Sequence, residues 1–182
     1  MLQLNFDPFP VLTTERLILR RLTLADAPEI FFLRSDQSIL QFLSKEPAAT
    51  IKEAEDFIIL INNNIDNNES IMWAIVLKED PSKAIGSMSF WRIQKEHYRA
   101  EIGYVLAPAN WKKGIMKESI LKTLHYGFSV MGLHSVEARI NPDNIASASL
   151  LESTGFVREG YFKEDFFHRG QFENTAVYSR LQ

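Results

Sequence analysis

The residues most suited to chemistry gather between Glu101 and Met131, which reads EIGYVLAP, ANWKKGIMKES and ILKTLHYGFSVM. The first piece is apolar and β-prone and stops at Pro108. The last spaces Ile120, Leu121, Leu124, Phe128 and Met131 as one face of a helix. Between them lies a short loop with Lys112, Lys113 and Gly114. A strand, a cationic glycine loop and a helix can hold an anion. The first N–H groups of a helix lack partners and together carry roughly half a positive charge. The loop is not a Walker loop, because Gly114 is followed by Ile115. It is not a dinucleotide loop either, since that fingerprint needs three glycines. A plain strand-to-helix turn with solvated lysines would use the same residues, and the loop alone leaves both readings open.

Elements around this stretch follow from periodicity and punctuation. Residues 1–13 read as an extended leader, and Glu15 to Leu22 alternates as a strand. Thr23 to Asp26 reads as an N-cap sequence, with Pro28 in the first turn of a helix to about residue 34. Residues 35–49 read as a short helix and a loop near a substrate. Thr50 and Glu53 form a capping box for a helix through Ala54, Phe57, Ile58 and Ile61 that dissolves in NNNIDNNES. Ile71–Leu77, Ala84–Ile93 and Arg99–Ala107 make an antiparallel meander, with Glu79 to Lys83 as its first turn and Gly86 marking a bulge or a close neighbour. Ser135–Ile140 follows a helical crossover and is therefore parallel to the strand before the helix. A helix then runs to about Thr154 and stops at Gly155, and two strands, Phe156–Phe166 and Glu173–Leu181, flank a turn at His168 to Gln171. The fold class is α+β: one domain over residues 1–182 (core 13–181), with a mixed, mostly antiparallel sheet of about seven strands and about four helices.

Composition narrows the function. With 182 residues the chain can bury a substantial core, and 46% hydrophobic with 24% charged residues is ordinary for a globular protein. There is no cysteine, which excludes disulfides, thiolate nucleophiles and Cys-based metal sites, and no metal is expected. A net charge of −3 argues against general nucleic-acid binding. No run approaches the roughly 20 apolar residues of a membrane span and no signal peptide is seen, so a cytoplasmic protein without membrane or nucleic-acid partners is expected.

Read together, EIGYVLAPANWKKGIMKESI and INPDNIASASLLESTGF resemble the GNAT superfamily of N-acetyltransferases. The opening TTERLILRRLTLADA and the ending FFHRGQFENTAVYSRL are similar to its RimJ/RimL-type branch, so the resemblance runs from Thr13 to Leu181. The family's phosphate loop, Gln/Arg-x-x-Gly-x-Gly/Ala, falls on Trp111 to Met116; Gly114 matches, while Trp111 and Met116 depart. The resemblance implies acetyl-CoA as co-substrate. Its diphosphate would rest on the N–H groups of Lys113, Gly114, Ile115 and Met116, with Trp111 and Lys112 in the same loop. Its pantetheine arm would lie along Tyr104, Val105 and Leu106, in a wedge splayed between that strand and Ser135–Ile140. Asn144 would orient the cofactor.

Acyl transfer to an amine needs a neutral amine, donors for the oxyanion and a proton for the departing thiolate. Relatives often place a tyrosine seven residues after the motif asparagine, but here that residue is Leu151. The resemblance assigns the donor role to Ser147 instead. Glu101 is the candidate base, acting through water, with a solvated residue paired to Arg99 or Lys95 as the bland alternative. His97 and Glu164 are weaker candidates, and His125 and His134 read as structural. The expected activity is acetyl transfer to a primary amine. An N-terminal α-amine fits best, because its pKa near ~7.7–8.0 leaves part of it free at neutral pH, unlike lysine near ~10.4. The alternatives are a small-molecule amine (amino acid, polyamine or aminoglycoside) or a non-catalytic acyl-CoA-binding module. The protein is expected to be a monomer or a homodimer, with acceptor loops at 35–49, 62–70 and 161–172.

Overall fold

The computed structural model describes residues 1–43 and 45–182; Ser44, within the expected acceptor stretch 35–49, lies outside the described residues. The described residues form eight strands and five α-helices: β1 Leu12–Thr13, β2 Leu17–Arg20, α1 Ala27–Ser35, α2 Gln37–Leu40, α3 Ile51–Asp66, β3 Ile71–Leu77, β4 Asp80–Gln94, β5 Arg99–Leu106, α4 Ile115–Ser129, β6 Ser135–Ile140, α5 Ile145–Ser153, β7 Val157–His168 and β8 Gln171–Leu181. One sheet joins all strands in the order β1-β2-β3-β4-β5-β6-β8-β7. Every neighbouring pair is antiparallel except β5 with β6, the pair that the helical crossover α4 forces to be parallel.

Strand alternation sorts β5 between two cores. Ala100, Ile102 and Leu106 join Ile115, Met116, Ile120 and Leu124 of α4 and Leu151 of α5. Val105 and Ala107 join Ile30 and Leu33 of α1 and Ala54 and Ile58 of α3. Successive side chains of β5 therefore point to opposite faces, with α4 and α5 on one and α1 and α3 on the other.

Several sequence expectations change in the fold. The leader is part of the core: Leu2 and Phe6 are buried, and the Trp73 indole, fully buried against Phe90 and Tyr126, donates to the Pro10 carbonyl at 2.8 Å. Helix α3 runs to Asp66 rather than dissolving in the asparagines. Ile65 keeps the helical apolar spacing and is buried, and Asn62 donates to the Leu22 carbonyl at 3.1 Å, so the asparagines stay on the polar face. Leu121 is 44% exposed, and the buried face of α4 uses Thr123, Tyr126 and Gly127 instead. The first meander turn is only Lys78-Glu79. Gly86 satisfies both readings: the β3–β4 register shifts beside it, and a Cβ there would lie 2.5 Å from the Val105 carbonyl oxygen.

Candidate active site

Strands β5 and β6 pair only at Arg99–Ser135, Ala100–Val136 and Glu101–Glu137. Beyond Glu101 the two strands diverge, and a cavity of about 1110 Å³ occupies the wedge. The cavity is lined at one end by Trp111, Lys112, Gly114, Ile115 and Met116, and at the other by α1, α2 and residues of the β7–β8 hairpin. Tyr104, Val105, Leu106, Asn144, Ser147 and Glu101 all line it, so nearly every residue singled out in the sequence converges here. Lys113 is the exception, and does not line the cavity.

The loop before α4 bends through left-handed backbone. Lys112 and Gly114 both adopt left-handed backbone, at φ +58° and +75°. Alternation of this kind brings successive N–H groups toward one point. Helix α4 makes its first main-chain bond from Glu118 N–H to the Gly114 carbonyl at 3.1 Å. The N–H groups of Ile115, Met116 and Lys117 precede that bond and have no helical acceptor. Trp111 turns back, its indole donating to the Leu106 carbonyl at 2.7 Å. That engages Leu106 from within the chain, and the stretch expected to receive a ligand by strand-like bonds narrows toward Tyr104 and Val105.

A latch that local sequence reading missed holds the loop. Arg16 donates through its side chain to the Lys113 carbonyl at 3.0 Å and to Glu118 at 2.8 Å. Thr14 Oγ1 also donates to Glu118, at 2.5 Å. Burial acts to raise the Glu118 pKa, but the bonds from Thr14 and Arg16 outweigh it and leave this carboxyl below its ordinary range. Glu118 in a first helical turn is unremarkable by itself; its partners lie about a hundred positions away, beyond any periodicity.

Deeper in the wedge, Tyr104 Oη and Ser147 Oγ lie 2.7 Å apart. Ser147 is buried, and its N–H donates to Asn144 Oδ1 at 3.0 Å, which caps α5. Burial pushes the Tyr104 phenol up to about 12, with the Ser147 bond opposing, so it remains protonated. Leu151 is fully buried in the core and offers no donor. A phenol is instead present from β5, at Tyr104, whose place in the strand reads in sequence as core.

Glu101 is also buried, and pairs with Arg92 at 3.1 Å, not with Arg99 or Lys95. Arg99 is committed to Glu137. Burial raises the Glu101 pKa, while Arg92, Arg139 and Arg99 oppose the shift without cancelling it. The same residue lines a second cavity of about 180 Å³, shared with Arg92, Gln94, Arg99, Ala100, Glu137 and Arg139. Glu101 thus stands between the wedge and a polar recess whose Arg92 side chain is 60% exposed.

The remaining candidates stay apart from the wedge. His97 is exposed at the β4–β5 connection, and Glu164 is an exposed residue at φ +53° in β7; neither lines the cavity. His125 and His134 are exposed, so they are not core residues. Of the expected acceptor loops, 35–49 contributes Ser38 to Leu43, Lys45 and Glu46, while 161–172 contributes Asp165 and Phe166. The stretch 62–70 contributes only Ser70, because α3 occupies most of it. No helix among the described residues is long and apolar enough to cross a membrane, and none of their side chains cluster as a metal site.

Residues 16–157 match the acetyltransferase (GNAT) domain family. YoaA of Bacillus subtilis, an uncharacterized N-acetyltransferase, is 36% identical over 171 residues, 94% of this chain and 96% of that protein. The crystal structure of spermidine N-acetyltransferase from Vibrio cholerae in complex with CoA and spermine aligns with a TM-score of 0.82 at 27% identity, covering 93% of this chain and 97% of that one. The ribosomal-protein-S5-alanine acetyltransferase from Vibrio fischeri aligns with a TM-score of 0.84 at 25% identity, covering 94% and 96%.

Proposed function

The chain belongs to the GNAT family and is an acetyl-CoA-dependent N-acetyltransferase, and we propose that its acceptor is the α-amine of a protein or peptide N-terminus. The observation that supports acetyl transfer at this site is the splayed β5–β6 pair, with the Tyr104–Ser147 hydroxyls and Glu101 on opposite faces of β5, and the one that favours an α-amine is that Glu101 is already paired to Arg92. The diphosphate of acetyl-CoA rests on the N–H groups at the start of α4, from Gly114 to Met116, with the main chain of Lys113 leading into them and Lys112 adding charge. The pantetheine arm follows Tyr104 and Val105. Trp111 braces the loop, and Asn144 fixes the start of α5, and with it Ser147.

The amine attacks the thioester carbonyl. The C–N bond forms, the C–S bond breaks, the nitrogen loses a proton and the sulfur gains one. The Tyr104–Ser147 pair donates a hydrogen bond to the departing sulfur. With its pKa near 12, Tyr104 does not give its proton outright to a thiolate whose parent thiol sits near ~8.5. The pair therefore stabilises the leaving thiolate by hydrogen bonding, and the sulfur takes its proton from solvent. Glu101 accepts the amine's proton through water and delivers it by way of the small polar cavity.

This base works only as a carboxylate. Because its pKa is raised, the acid limb of kcat/KM should lie above the 4.5 of an ordinary glutamate. Glu101→Gln should remove that limb and lower kcat/KM at neutral pH by roughly tenfold, a modest loss because an α-amine is already partly neutral there. An unchanged acid limb in the variant would reassign the base.

A base that is already paired to Arg92 suits an α-amine better than a lysine. The likeness to spermidine acetyltransferases supports a small-molecule amine as the second reading. Following free thiol with acetyl-CoA and a panel separates them: a peptide with a free N-terminus, the same peptide blocked but carrying an internal lysine, single amino acids, and spermidine. The free N-terminus is expected to be the best acceptor. Comparable turnover of the blocked lysine peptide, or a preference for spermidine, would overturn the α-amine reading.

A further inference from the structure

The acceptor end of the wedge holds charges that the acetyl-transfer chemistry leaves unused. Arg34, near the end of α1, lines the cavity with its guanidinium 4.0 Å from the centroid of the Phe57 ring. Its Nε is buried without a hydrogen-bond partner, and no carboxylate lies within 4.0 Å of the guanidinium among the described residues. Glu53 acts on it electrostatically, but the Glu53 oxygens are engaged by the Ala49 N–H and the Thr50 hydroxyl at the start of α3. Lys45 stands in the same field. Although Lys45 as a residue is exposed, burial of its ammonium and the charge of Arg34 push its pKa down, and Glu101 opposes them.

Two of the carboxylates at this end have arginine partners, and two share a histidine. Glu101 is 3.1 Å from Arg92 and Asp165 is 3.2 Å from Arg139. Glu46 and Glu173 flank the His168 ring at 3.5 and 3.4 Å. The cavity end thus presents two cations, Arg34 and Lys45, with no carboxylate partner among the described residues. The Nε itself is closed off, but a guanidinium that lines the cavity without a carboxylate partner can give a ligand carboxylate a charge-assisted and geometrically selective bond through its terminal nitrogens.

We propose that the acceptor carries a carboxylate close to its reacting amine, received by Arg34 with Lys45, and that this carboxylate is an Asp or Glu side chain within the first residues of a peptide N-terminus. This rests on the α-amine reading above. Glu101 then receives the amine's proton while Arg34 holds the chain that bears it. The side chains that face the acceptor, more than the catalytic wedge, set its identity.

The test compares peptides of equal length with free N-termini, differing only at the second and third residues: acidic, neutral or lysine. The full chain is used with saturating acetyl-CoA, and kcat/KM is read from thiol release. Acidic peptides should exceed neutral ones by about tenfold, and lysine peptides should fall below neutral. Arg34→Gln should bring the acidic-to-neutral ratio close to one with KM for acetyl-CoA unchanged, which also shows that the variant folds. Arg34→Lys should restore part of the ratio. Equal rates for acidic and neutral peptides, or a ratio that survives Arg34→Gln, overturns the proposal while leaving the α-amine reading in place. Free aspartate and glutamate used in preference to every peptide, with the preference lost in Arg34→Gln, rejects the peptide N-terminus but supports the carboxylate contact. Spermidine turned over above all others, or no thiol release across the panel, counts against both.

Discussion

Ser147→Ala is expected to lower kcat about a hundredfold, the usual size for one donor aimed at charge that develops in an acyl-transfer transition state. The affinity for coenzyme A should change little, since the proposed diphosphate site lies at the other end of the cavity. Tyr104→Phe should cost a similar factor, because the two hydroxyls lie 2.7 Å apart and act as one donor. The double variant should then be little worse than either single one, the non-additivity expected of groups that work as a unit. A second signature follows from burial. Tyr104 is held near 12, so the pair should contribute no alkaline limb to kcat anywhere in the ordinary assay range. Pre-steady-state thiol release on the three variants would check this. Full activity in both single variants would remove the pair from the mechanism, and additive losses would mean that the hydroxyls act separately.

Replacing Gly114 with glutamate should raise KM for acetyl-CoA by roughly thirtyfold, or about 2 kcal/mol. Space is not the reason, since a Cβ there would meet only the Arg16 side chain at 3.5 Å, an ordinary contact. The backbone angle is. At φ +75° a residue with a Cβ costs about 1–2 kcal/mol, and relief of that strain rotates the N–H groups proposed to hold the diphosphate. The carboxylate adds a second injury: it arrives beside Arg16 and draws that side chain from the Lys113 carbonyl and Glu118, which together hold the loop. Gly114→Asn, which tolerates the left-handed region, should lose least, and Gly114→Ala should fall between. Binding of coenzyme A measured calorimetrically would rank the three. Equal affinity in all of them would place the diphosphate elsewhere.

What could be read from the chain alone was what short-range physics sets. The anion loop, its glycine, the β5–α4–β6 crossover and the stop at Gly155 follow from apolar spacing, turn chemistry and caps, each a matter of a few consecutive residues. The resemblance of two short segments then located the wedge. Tertiary structure decided the rest. Tyr104 and Ser147 are 43 positions apart and meet only because β5 and β6 separate after Glu101. Arg16 reaches Glu118 across 102 positions, and Ile65 prolongs α3 because a core was waiting for it. Arg34 reads in sequence as an ordinary basic residue near a helix end, and only the packing of α1 on α3 leaves its guanidinium without an acceptor. Periodicity tells which face of an element is buried; it says nothing about which side chain lies opposite. That depends on strand register and packing among elements distant in the chain, and at this site it determines the proton chemistry and the acceptor.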